Sequence, residues 1–245
     1  MALTLNCWES ANSAGAGVTS LDVNKPTSGS ALGDSPKNAA VGDLLIIVVG
    51  NDDATDTVQW DDATYKPTGF TLIDEIGGAA SDSHCAAFYK VVNGTEGSSF
   101  TIPSQASQEM YASCILISGS VGSPSLHLIG AAVADETPAP LDITGVNNTI
   151  ADCIVFYLAS YDGGDAGAFA VSGTGWIERA ELFSGTASTD ACGVWGTRAM
   201  SGTGASGTVS VTPTTGDGMY GFQFSIAEIA GIVAFMIVTM SRPQP

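Results

Sequence analysis

Residues 43–48, Asp43-Leu44-Leu45-Ile46-Ile47-Val48, align with Asp152-Cys153-Ile154-Val155-Phe156-Tyr157 at a shift of about 109 residues. The match continues in order along the chain. Thr68-Gly69-Phe70 falls on Thr174-Gly175-Trp176, Cys85 on Cys192, Phe88 on Trp195, Phe100-Thr101-Ile102 on Val209-Ser210-Val211, and Met110-Tyr111 on Met219-Tyr220. The shift drifts by only about three residues, all of it in loops, and chance seldom keeps a register across several segments. A duplicated unit is therefore the strongest constraint on the fold. It divides the chain into residues 1–123 and residues 124–245, each expected to fold in the same way.

Each copy reads as strands. The apolar runs are short, rich in Val, Ile and aromatic residues, and bounded by turn formers such as Gly77-Gly78, Asn93-Gly94, Gly163-Gly164 and Gly202–Gly207. Only 13% of the residues are charged and 30 of the 245 are glycine, while 44% are hydrophobic, enough to exclude a disordered chain. No convincing amphipathic helix longer than two turns is visible. The expected class is all-β: a tandem-duplicated β-sandwich, jelly-roll-like, with an extra C-terminal strand. The Gly-, Ser- and Thr-rich segment Met1–Asn38 reads as an arm or long loops. Strands this rich in Val and Ile need covered edges, which predicts a homo-oligomer, with a trimer favoured.

The formal net charge is −18, from 25 acids and 7 scattered bases, which argues against nucleic-acid binding. Met1–Ser10 lacks the basic and apolar regions of a signal peptide. The five cysteines carry no CxxC pattern and sit mostly in apolar runs, so they read as reduced, buried thiols of a chain folded in a cytoplasm. Ile229–Met240 is the most apolar stretch. It is shorter than the ~20 residues of a membrane span. Its repeat alignment sets Ala230-Gly231 on Val121-Gly122 and Phe235–Val238 on Leu126–Ile129, so it reads as one more strand or as an inter-subunit arm.

Chemistry-bearing constellations are few. The acidic loop Asn51–Asp56 and its partner Ser160–Asp165 place Asp53 and Asp56 opposite Asp162 and Asp165. Such oxygen-rich loops suit calcium, the one cofactor considered, although the full EF-hand pattern is absent. The alternative is solvated turn acids that cap local amides. Trp60 and Tyr65, in a loop with Asp61 and Asp62, are candidates for exposed ligand contacts such as a sugar platform. Asp74 with Glu75, Asp61 with Asp62, and Glu178 with Glu181 are paired carboxylates of the type glycoside hydrolysis uses, with nothing to place any pair in a cleft. Neither His84 nor His127 accompanies a G-x-S-x-G elbow or a zinc spacing. Gly202–Gly207 matches G-x-G-x-x-G literally, but a strand pattern follows where a dinucleotide site needs a helix. No catalytic residue is assigned.

The order Gly42-Asp43-Leu44-Leu45-Ile46, Trp60, Pro67-Thr68-Gly69-Phe70-Thr71-Leu72, Ala87-Phe88-Tyr89-Lys90, Ile115-Leu116-Ile117-Ser118-Gly119 resembles β-sandwich structural proteins of tailed bacteriophages, most clearly over residues 40–120. The resemblance implies a non-enzymatic virion protein made in the host cytoplasm. It would be a head decoration or cement protein whose partners are the major capsid protein or other virion proteins. The alternative is a tail or head appendage that binds host-surface carbohydrate. No fibre-like coiled coil or collagen-like shaft is present, which favours a compact surface module.

Overall fold

The computed structural model describes residues 3–52, 60, 64–78, 83–120, 123–135, 140–162, 169–185, 191–213 and 218–229. The described residues form an all-β fold of several antiparallel sheets, with no helix among them. The first half contributes β1 (Thr4–Asn12), β2 (Val18–Asn24), β3 (Leu44–Asp52), β4 (Thr71–Gly78), β5 (Ser83–Val91), β6 (Ser99–Gln108) and β7 (Met110–Ser118). The second contributes β8 (Ser123–Ile129), β9 (Val133–Asp135), β10 (Leu141–Ile143), β11 (Asn147–Asn148), β12 (Cys153–Asp162), β13 (Ala170–Ser172), β14 (Ile177–Phe183), β15 (Ala191–Met200), β16 (Gly204–Ala205), β17 (Val209–Thr212) and β18 (Met219–Ile229). The N-terminal segment expected as an arm or long loops thus supplies two strands, whose polar outward residues hide a buried face (Leu5, Cys7, Leu21, Val23).

The large sheet of the first half runs β1-β7-β3-β5-β4, and that of the second runs β8-β18-β12-β15-β14. In each, the opening strand of the half pairs with its closing strand. A smaller sheet accompanies each: β2-β6 in the first half and β10-β17-β13 in the second. Even the irregularities coincide. The ladder β4/β5 shifts register between Leu72 and Asp74, and β14/β15 between Glu178 and Ala180.

Four of the five sheets enclose three main layers of apolar packing. Leu44, Ile46 and Val48 of β3 face Ile154, Phe156 and Leu158 of β12 in a central core shared by both halves. Leu45, Ile47 and Val49 point the other way, to Leu21 and Val23 of β2 and Phe100 and Ile102 of β6. In the second half, Tyr157, Ala159 and Tyr161 of β12 pack on Leu141, Ile143, Val209 and Val211. A strand buried on both faces loses the alternation of a half-exposed one, which explains the unbroken apolar run at 44–49. Across the central core, β3 and β5 lie over β15 and β12, while β1 flanks β14 on one side and β4 flanks β8 on the other.

Aromatic and polar contacts lock these halves together. The Trp8 and Trp195 rings meet edge-on at 5.2 Å. The Ser83 and Ser160 hydroxyls bond at 2.7 Å, and the Trp195 indole donates to Ser113 Oγ at 3.3 Å. Tyr111 of the first half lies over Gly50 and also over Gly193 of the second, and a Cβ at either glycine would overlap its ring. At the rim, Arg179 pairs with Asp34 at 2.9 Å.

Candidate functional site

The candidate residues that are described do not converge on one cleft. Asp53, Asp56 and Asp165 lie outside the described residues, and Asp162 is the last residue of β12. Among the described residues, no group of three His, Cys, Asp or Glu gathers as metal ligands.

Trp60, expected as an exposed contact, is fully buried in the outer core of the first half. Its indole donates to the Pro103 carbonyl at 3.3 Å, and its ring meets Phe88 edge-on. Tyr65 is half-buried against the same cluster. Trp60 is therefore a core anchor and not the exposed contact expected. The polar loop around Trp60 concealed this in the sequence, because burial there is imposed by β2 and β6 from elsewhere in the chain.

What the structure does bring together is a carboxylate and a loop amide, twice. Glu75, on β4 just beyond the bulge, accepts the Trp60 backbone N–H at 2.8 Å. Glu181, at the matching place on β14, accepts the N–H of Phe169 at 2.7 Å. Phe169 is itself buried in the outer core of the second half. Each carboxylate fastens the long connection between two strands of the large sheet by satisfying a donor that would otherwise be costly to bury. The bulge re-aims the edge strand so that the carboxylate faces the loop. Two of the acids proposed by type as hydrolytic partners thus hold backbone.

The electrostatics around them are ordinary consequences of burial. Desolvation raises the Asp74 carboxyl, partly offset by the Glu75 amide that bonds it. Desolvation also raises Glu178, with the nearby charge of Glu181 adding to the effect. At the β5–β6 turn, burial opposes ionisation of Glu96, but the amides of Asn93, Glu96 and Gly94 and the Lys90 ammonium outweigh it and hold the carboxyl low. None of the five cysteines is in a disulfide and all are buried, and desolvation raises the thiols of Cys85, Cys114 and Cys153.

The G-x-G-x-x-G segment leads into β17, not into a helix. Its Ser206 is buried in a network: the hydroxyl donates to Gln223 Oε1 at 2.7 Å and accepts the Val146 N–H at 2.9 Å. Gln223 in turn donates to the carbonyls of Ile143 at 2.9 Å and Gly207 at 3.1 Å. These bonds tie the segment to β18. His127 bonds Thr149 at 3.2 Å near the surface, and His84 is buried on β5.

A groove of about 400 Å³ lies between the edges of β1 and β14, bordered by Ser10, Ala11, Asn12, Glu181, Leu182 and Phe183. A smaller apolar hollow of about 130 Å³ lies at the opposite end of the sheets, beside Leu3, Ile154 and Met200. The chain matches no known protein-family model, no curated protein and no solved structure.

Proposed function

We propose that this chain is a non-enzymatic structural protein of a virion, a tandem-duplicated, jelly-roll-like β-sandwich that decorates the capsid of a tailed phage. The observation that carries the reading is the central core, to which two large sheets of similar strand order both contribute. Such a chain is in effect a dimer fused into one rigid block. Supporting it, the carboxylates at Glu75, Glu181 and Glu96 are engaged in fastening loops and turns. The excess of acid, −18 in net charge, suits a protein held at high local concentration on a particle surface. The partners are further copies of the chain, a trimer being favoured, and the major capsid protein.

The experiment is immunogold labelling of source particles, viewed by electron microscopy. Even label over the heads is expected. Label confined to the tail or one vertex would replace decoration with an appendage role, and particles without label would end the virion reading.

A further inference from the structure

The groove between β1 and β14 is bounded by two sheet edges. Among the described residues, β1 has only β7 as a strand partner and β14 only β15, so both strands turn an edge toward the groove. The edges are closed at each end of it. The Trp8 N–H donates to the Leu32 carbonyl, and Arg179 pairs with Asp34 beside it. At the other end, the Gly15 N–H donates to the Ser184 carbonyl. Between these clamps about four residues of the β1 edge, a length of ~13 Å, have no strand partner among the described residues. Open edges of this kind take up an extended segment by strand addition.

We propose that the groove receives residues 235–238 of a second copy of this chain. The sequence Phe235-Met236-Ile237-Val238 aligns with Leu126–Ile129, within β8, the strand that opens the second half by pairing with its closing strand. Within one chain both such places are taken, by β1 beside β7 and by β8 beside β18. The run shares the apolar character of β8, which suits it to pair with an open sheet edge.

Reach decides between the chain's own groove and a neighbour's. Leu182 pairs with Gly193, Gly193 with Ser160 and Ser160 with Tyr220, so the groove lies level with Tyr220 of β18. The C-terminal segment leaves β18 at Ile229, nine residues further on, or ~30 Å along the strands. The groove is also three strands across the sheet, ~14 Å. The direct distance of ~33 Å consumes about ten fully extended residues. That leaves nothing of the run Phe235–Val238 to lie in the groove of its own chain. The segment leaves at one end of the molecule and the groove opens at the other, so the contact is head to tail. A finite assembly then requires the copies to close a ring.

The proposal rests on reading the chain as an assembling structural protein, and its test uses purified full-length chain without particles. Native mass spectrometry is expected to show a closed oligomer. Deleting residues 230–245, or the single change Phe235→Asp, is expected to leave the single-chain mass with an unchanged far-ultraviolet dichroism spectrum. The double variant Asn12→Cys, Ile237→Cys is expected to form a disulfide between chains under mild oxidation, with each single variant at background. A disulfide within one chain, an oligomer that survives the deletion, or a wild-type chain that stays single would each overturn it. Particle labelling that succeeds while these fail would leave the virion reading standing and remove only the groove.

Discussion

Glu178 shows how a single side chain tells on stability. Desolvation first, and then the charge of Glu181, raise its carboxyl in the folded state above the ordinary range. The folded protein therefore binds this proton more tightly than the unfolded chain does. Stability contributed by the group is present below the unfolded pKa, about 4.3 for a glutamate, and is lost as pH rises through the folded value. Glu178→Gln removes the penalty. Its melting temperature is expected to exceed that of the wild type at neutral pH and to converge with it near pH 4, as thermal melts across that range would show. Glu96 has the opposite sign. Its lowered carboxyl stabilises at neutral pH, and that contribution fades as pH falls through its folded pKa.

At the scale of the element, the edge strands β4 and β14 hold the long connections that precede them. Trp60 is the clearest case, because one residue fills a core site and carries the amide that Glu75 accepts. Trp60→Ala is expected to cost about 3–5 kcal/mol by the measured range for large aromatics in cores, read from chemical denaturation. A residue used for sugar contact on the surface would leave stability within ~0.5 kcal/mol when truncated. The same measurement therefore separates the two roles.

The whole molecule has a shared core in place of a linker. Ile154, Phe156, Phe222 and Phe224 of the second half bury against Leu44, Ile46, Ile115 and Ile117 of the first. Separating the halves would expose all of these faces at once, at ~25 cal/mol for each Å² of apolar surface. Unfolding is therefore expected as one transition, with tryptophan fluorescence and far-ultraviolet dichroism superimposing in a denaturant titration. Two resolved transitions would mean that the halves are energetically independent despite the common core.

The sequence by itself determined the all-β class and the positions of most of the strands of the large sheets, because apolar runs and turn residues are local signals. Some residues that the repeat reading aligns face comparable cores. Phe100 and Ile102, like Val209 and Val211, face outer cores, and so do Met110 and Met219. In other strands the alignment was one residue out. Leu44 lies in the central core, but Cys153, aligned with it, is buried in a separate cluster with Val146 and Val155, and Ile154 takes the central position. Cys85 and Cys192 likewise face different cores, as do Phe88 and Trp195. A one-residue slip in a strand exchanges its two faces. Where both faces are buried, the apolar pattern gives no sign of which is which. Only the tertiary structure decided that, together with the burial of Trp60, the strands at Thr4–Asn12 and Val18–Asn24, and the groove between β1 and β14. All four depend on contacts between segments far apart in the chain, which local sequence does not encode.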